Sequence, residues 1–242
     1  MSKPSIFAHR GASGARFENT MKAFELAVVQ GADGIELDVQ VTEDGVLFVI
    51  HDLVLSRLAG IRRSISSMTG VEVKRIRVGR KYTRLFVGHK IPTLIEVVSF
   101  CQSHHLALNV ELKESISERP EFIEKIIDIV THVEEVHISS FDYELLEMVK
   151  KINSQIETAY LLRKKNVDWA NLEQYSCADG FHVHKRLLKE PYLNDLIQSG
   201  KKIRVYGITG TEPIALNPPP YIDGWITDYP DRFKNQKMDR DM

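Results

Sequence analysis

Residues 34–52 read GIELDVQVTEDGVLFVIHD, and the placement of their charges decides the fold. A parallel strand covered on both faces is normally an almost unbroken apolar run. Here Ile35, Leu37 and Val39 alternate with Glu36 and Asp38, so one face packs on helices while two carboxylates point into an enclosed interior. Further on, Asp44-Gly45 is a strong hairpin turn between β-rich arms, and pairing around it brings Asp38 roughly opposite His51.

Working outward, short β-rich runs alternate with stretches of helical period, the mark of a parallel sheet with crossover helices. Strands are expected at 5–10, 34–39, 106–113, 136–141, 157–162, 180–184, 202–208 and 224–228. A helix is expected over 20–30, capped by Asn19 and ended by Gly31, and another over 121–133 behind Pro120. Eight strands in 242 residues match a (β/α)8 barrel, or TIM barrel, better than an open doubly wound sheet. No Gly-x-Gly-x-x-Gly follows the first strand, which removes the main mark of a dinucleotide-binding sheet. The expected organisation is one barrel domain over 1–242, with the hairpin and a basic insertion at 53–90 on its C-terminal face.

The 32 Lys and Arg against 33 Asp and Glu give a formal net charge of -1, which weighs against a dedicated nucleic-acid binder. With 43% hydrophobic and 27% charged residues, the composition is that of a soluble globular protein, and no apolar run approaches a membrane span. The start MSKPSIFAHRG has too short an apolar stretch for a secretory core, so a cytoplasmic location is expected. Cys101 and Cys177 form no C-x-x-C pair and are expected to be buried free thiols. A homo-oligomer built through the outer helices stays open. The charge is unevenly spread: ten basic residues and one acid, Glu72, fall within 53–90, so that segment is +9 and the remainder about -10. It is either a solvated insertion or a device that draws anionic substrates or anionic lipid to the barrel mouth.

The strand NVELK repeats the pattern of GIELDV, with Glu111 on the inward face, so three carboxylates converge on one interior. Buried charges are costly unless paired or bound to metal. A divalent cation resolves the conflict, and the all-oxygen set suits Mg²⁺, Ca²⁺ or Mn²⁺; Lys113 and Arg10 are the alternative, as structural ion-pair partners. His9 and Arg10 end one strand and His51 and Asp52 end the hairpin arm. Two imidazoles beside carboxylates can serve as base and acid in one turnover, and Arg10 offers a fork suited to a phosphate oxygen. Together these groups describe phosphoester chemistry. His182 and His184 read as a polar barrel layer or substrate wall, His104 and His105 as a helix end, Asp142 as a helix cap, and Asp228 as a strand-end acid. Trp225 and Phe141 read as pocket walls or core.

HRG at 9–11, FENT at 17–20, ELDVQVTEDGVLFVIHD at 36–52, ELK at 111–113 and WITDYP at 225–230 resemble the glycerophosphodiester phosphodiesterase family. The resemblance implies a phospholipase-C-like barrel that uses a divalent cation to hydrolyse glycerophosphodiesters to sn-glycerol 3-phosphate and an alcohol. It implies Glu36, Asp38 and Glu111 as metal ligands, His9 and His51 as the acid/base pair, and Arg10 and Lys113 as phosphate contacts. Around these it places Glu18, Asn19, Asp52, Tyr206 and Trp225. The chain departs from the family pattern at Phe17, where Pro is usual, and at Tyr206 to Thr209, where Trp-Thr-Val-Asn is common. Its insertion matches only at the ends, near Arg57 and at IPTLIEV (91–97). Since that insertion roofs the site, a lysophospholipid- or phosphoglycerol-polymer-directed enzyme is the nearer alternative, and a non-catalytic phosphodiester- or metal-binding barrel the more distant one.

Overall fold

A computed structural model of the chain describes residues 3–233 apart from 80, 83 and 166. The elements run β1 (Ser5–His9), α1 (Met21–Val29), β2 (Gly34–Val41), β3 (Leu47–Val49), α2 (Ser56–Ala59), α3 (Gly70–Arg75), β4 (Arg77–Val78), α4 (Arg84–Val87) and β5 (His89–Lys90). They continue α5 (Leu94–Ser103), β6 (Ala107–Leu112), α6 (Glu114–Ser117), α7 (Ile123–Val130), β7 (Val136–Ser140), α8 (Tyr143–Ile152) and β8 (Glu157–Leu162). The last part holds β9 (Gly180–His184), α9 (Tyr192–Gln198), β10 (Lys202–Ile208), α10 (Pro213–Leu216) and β11 (Gly224–Thr227).

Eight strands, β1, β2 and β6 to β11, pair in parallel, and β1 joins both β2 and β11, so the sheet closes. This is the expected (β/α)8 barrel. β2 is longer than its neighbour: β1 pairs with residues 34–36 and the antiparallel β3 takes over along residues 39–41. The hairpin therefore stands above the barrel rim and returns the chain directly to the mouth. Ile50 N–H donates to the carbonyl of Asp38 at 2.9 Å, so Ile50 sits opposite Asp38 and His51 follows one residue on.

Alternation does the sorting that the sequence implies. Ile35, Leu37 and Val39 are fully buried in the layer between strands and helices, with Leu94, Val97, Ile126, Leu146 and Val149 from the helical side. Inward-facing Glu36, Asp38, Asn109, Glu111, His137, Ser139 and His182 are buried as well, so the barrel interior is polar through much of its height. The segment after β3 has a smaller core of its own, in which Leu55, Leu58, Ile65, Met68, Val73 and Val78 pack with Phe48, Ile50 and Ile91. Among the described residues no helix is long and apolar enough to cross a membrane.

Three local expectations change. Thr20, not Asn19, caps α1, its hydroxyl accepting from the Ala23 N–H at 3.3 Å; Asn19 is turned to a different task described below. The helix expected over 121–133 opens as a tight 3-10 turn at Pro120–Phe122 before α7, because Pro120 fixes the first turn without offering a donor. Cys101 is buried, but Cys177 is only partly so. Asp142 does cap α8, accepting from the Glu144 N–H at 3.2 Å.

Candidate active site

The site is assembled where β1, β2, β6 and the return of the β3 arm end together. Glu36 and Asp38 on β2 and Glu111 on β6 are all buried, and each offers an oxygen within 4.8 Å of the other two. In-register pairing explains the convergence, since Asp38 lies directly beside Glu111 on the neighbouring strand.

Two cations are shared among these three acids. Lys113 Nζ lies 3.0 Å from Asp38 Oδ1 and also pairs with Glu111 Oε1, while Arg10 Nε lies 3.0 Å from Asp38 Oδ2. Asn19 Nδ2 donates to the same Asp38 oxygen at 2.7 Å. Burial alone would raise Asp38, but Lys113 and Arg10 override it and hold the carboxylate well below its usual range. Glu36 and Glu111 are less well matched. Burial raises both, and burial with the adjacent Asp38 pushes Glu111 up to about 7. Two buried carboxyls held short of positive charge, in an all-oxygen set, fit a hard divalent cation.

The backbone is bent to make this meeting possible. Arg10 (φ 57°) and Asn19 (φ 53°) both occupy the left-handed region that non-glycine residues rarely enter. The Asn19 N–H donates to the Arg10 carbonyl at 3.0 Å, and the Arg10 N–H donates to Glu36, both to its carbonyl and to Oε2. Between them Gly11 passes α1 so closely that a Cβ would meet Ala23 backbone at 2.7 Å, at a φ of 80°. Only glycine fits there.

The two histidines flank the carboxylates from different loops, each steered by its own acid. His9 Nδ1 is 2.7 Å from Asp228 Oδ1, leaving Nε2 at 4.0 Å from Glu36 Oε2. Burial disfavours a charge on His9, but Glu36 and Asp228 outweigh it and hold the ring above the usual imidazole value. His51 Nδ1 is 2.8 Å from Asp52 Oδ1. Arg57 bonds both oxygens of Asp52 and both oxygens of Glu18, and Glu18 in turn accepts from Arg10 at 3.0 Å. A continuous chain of charge-assisted hydrogen bonds thus runs from His51 through Asp52, Arg57 and Glu18 to Arg10, whose Nε forms an ion pair with Asp38.

A cavity of about 270 Å³ lies over these groups, with His9, His51, Arg10, Lys113, Glu36 and Glu111 on one side. Phe141, Leu161, Tyr206 and Ile226 form an apolar wall, and Asn109, Ser139 and His182 the floor. Tyr206 therefore lines the space, whereas Trp225 does not. Strand alternation sends Trp225 to the outer layer, fully buried near Phe233, while its neighbour Ile226 faces inward. His182 joins the floor and His184 stands edge-on to Tyr206, which agrees with a wall rather than a second metal site. Read from sequence as a strand-end acid, Asp228 instead steers His9, and barrel closure is the signal that points to it. In a closed barrel the last strand lies beside the first, so residues just past both ends become neighbours.

A sequence model of the glycerophosphoryl diester phosphodiesterase family matches residues 9–232. The chain is 35% identical over 234 residues to a glycerophosphodiester phosphodiesterase of Bacillus altitudinis, covering 94% of this chain and 95% of that one. It is 32% identical over 236 residues to a glycerophosphodiester phosphodiesterase of Caldanaerobacter subterraneus subsp. tengcongensis, covering 96% and 97%. Among solved structures, an Oleispira antarctica phosphodiesterase in complex with the product sn-glycerol-3-phosphate superposes with a TM-score of 0.85, at 27% identity over 97% of each chain. Sequence, relatives and barrel geometry agree over nearly the whole length, and the chain belongs to the glycerophosphodiester phosphodiesterase family.

Proposed function

We propose that this protein hydrolyses glycerophosphodiesters to sn-glycerol 3-phosphate and an alcohol, with one divalent cation held by Glu36, Asp38 and Glu111. The observation that carries the reading is the placement of two acid-steered imidazoles beside buried carboxylates, Arg10 and Lys113 in one cavity. The relatives' activity and the sn-glycerol-3-phosphate complex of the Oleispira neighbour support it. The donor set suits Mg²⁺, Ca²⁺ or Mn²⁺, and such an ion supplies Lewis-acid polarisation of a phosphate oxygen when bound.

The chain's own groups do the rest. Arg10 and Lys113 offset charge building on the phosphoryl oxygens. With Nδ1 of each ring held by an acid, the proton-transfer atoms are Nε2 of His9 and Nε2 of His51. One Nε2 takes the proton of the nucleophile as its oxygen bonds to phosphorus; the other gives a proton to the alcohol oxygen as the P–O bond breaks. Water is one nucleophile; the neighbouring glycerol hydroxyl is the other, and it gives a cyclic phosphate that water then opens.

The test is release of glycerol 3-phosphate from a panel of soluble glycerophosphodiesters by chelator-treated protein, with Mg²⁺, Ca²⁺ and Mn²⁺ restored in turn. Release that needs an added ion is the expected result, and a cyclic phosphate trapped at early times identifies the second route. Folded protein that binds the ion yet releases nothing from any diester would overturn the reading.

A further inference from the structure

The insertion described above has an inner face and an outer one. Its inner face is the small apolar core; its outer face carries Tyr82, Phe86 and Val87 at 86%, 90% and 68% exposure. Tyr82 and Phe86 are the exposed aromatic side chains among the described residues. A monomer in water gains nothing from displaying them there.

The charge around them is not neutralised from within. Arg57 and Arg63 are tied to acids, but exposed Arg62, Lys74, Arg75, Arg77, Lys81 and Lys90 make no ion pair among the described residues. The segment's +9 stands against about -10 for the rest of the chain, so an anionic surface is drawn to this segment in preference to the bulk of the molecule. Aromatic side chains on an exposed tip of a segment rich in lysines and arginines, with Lys81 Nζ 5.6 Å from the Tyr82 ring centroid, are the chemistry of an interfacial anchor, which needs no pocket to receive it. The tip is also joined to the reaction cavity. α4 packs on β4, β4 packs on α2, and Arg57 of α2 bridges to Glu18 and Asp52.

We propose that the tip formed by Lys81, Tyr82, Phe86, Val87 and Lys90 docks the enzyme on anionic lipid bilayers and presents its cavity to phosphodiesters carried at that surface. The proposal rests on the phosphodiesterase reading for its purpose but not for its measurement. Binding is read by co-sedimentation with phosphatidylcholine vesicles, with and without about 30 mol% phosphatidylserine. The wild-type protein should pellet with the anionic vesicles in about 0.1 M salt and be released in about 1 M salt. The double variant Tyr82→Ser with Phe86→Ser should lose about tenfold or more of that binding, while hydrolysing a water-soluble glycerophosphodiester as the wild type does. Its turnover of a lysophospholipid presented in anionic vesicles should fall with its binding.

No pelleting with anionic vesicles overturns the proposal, as does equal binding by the double variant. A wild type that self-associates while the double variant is monomeric would assign the tip to a contact between copies instead. Vesicle binding without hydrolysis of any diester would leave the docking intact and remove the phosphodiesterase reading alone.

Discussion

The mouth and the waist of this barrel are both filled with polar side chains, and they handle the cost of burying them in opposite ways. At the mouth, three carboxylates and two cations are packed so tightly that Asp38 is held ionised while Glu36 and Glu111 are pushed toward their neutral forms. At the waist, His137 and His182 sit edge to face with ring centroids 5.3 Å apart, and Phe7 closes on His137 at 5.2 Å. Burial, with nearby Arg204 adding to it, drives both imidazoles well below their usual pKa. Arg204 has its own counter-ion, Glu157, at 2.6 Å. The waist keeps its two imidazoles neutral, whereas the mouth holds Asp38 ionised between Lys113 and Arg10. Polarity inside a barrel is thus a poor sign of function, and so is a single satisfied pair such as Arg204 with Glu157; what sets the mouth apart is three carboxylates crowded on two cations.

The largest effect should come from the mouth. His51→Ala is expected to lower kcat about 10² to 10⁴-fold with little change in Tm, since the ring is partly exposed and its loss opens no core cavity. A fully active variant would break the contrast by showing that retained charge there has no chemical use. Asp228→Asn should cost about tenfold to a hundredfold, by analogy with partners that orient a ligating or catalytic imidazole. Combined with His9→Ala it should cost little further in kcat, because His9 is the ring that Asp228 orients, its other side-chain bond being to the Ser13 hydroxyl.

At the waist the expected signal is stability rather than rate. The folded pKa of His137 and of His182 lies below the unfolded value, so the unfolded chain binds the extra protons. Stability is therefore full above about pH 6.5 and falls as pH drops below it, by up to about 1.4 kcal/mol per pH unit for each ring. His137→Phe should flatten that dependence in thermal melts at pH 7.5 and 5.5 and leave activity near wild type. An unchanged slope would mean the waist rings are solvated and the contrast is false. Smallest of all, Arg63→Ala breaks an exposed pair with Glu72 and should leave the midpoint of a denaturant titration essentially unchanged.

The fold was legible because strand alternation is a strong signal: GIELDV and NVELK display their buried carboxylates as breaks in otherwise apolar runs. The parts of the site lying on strands were legible for the same reason, and the HRG and HD pairs mark strand ends. What the sequence concealed depends on loops and closure. Asn19 reads as a helix cap because its residue type is right, but a positive φ turns it to Asp38 and leaves the cap to Thr20. Trp225 reads as pocket wall or core, and only the inner or outer face of its strand, which a one-residue shift exchanges, decides for core. Asp228 is 219 residues from His9, a separation no local pattern spans.

That separation also bears on how the protein is made. β11 is the strand that seals the sheet between β10 and β1, and Asp228 follows it at once. A chain emerging from the ribosome can form the β2–β3 hairpin early, because its contacts are local, but the contacts of β1 and His9 with β11 and Asp228 wait until residue 228 has been made. Until β11 arrives the first strand has an open edge, and His9 lacks the acid that fixes its ring. The last step of assembly and the last step of activation are therefore one event, and a truncated product that stops short of residue 228 is left without either.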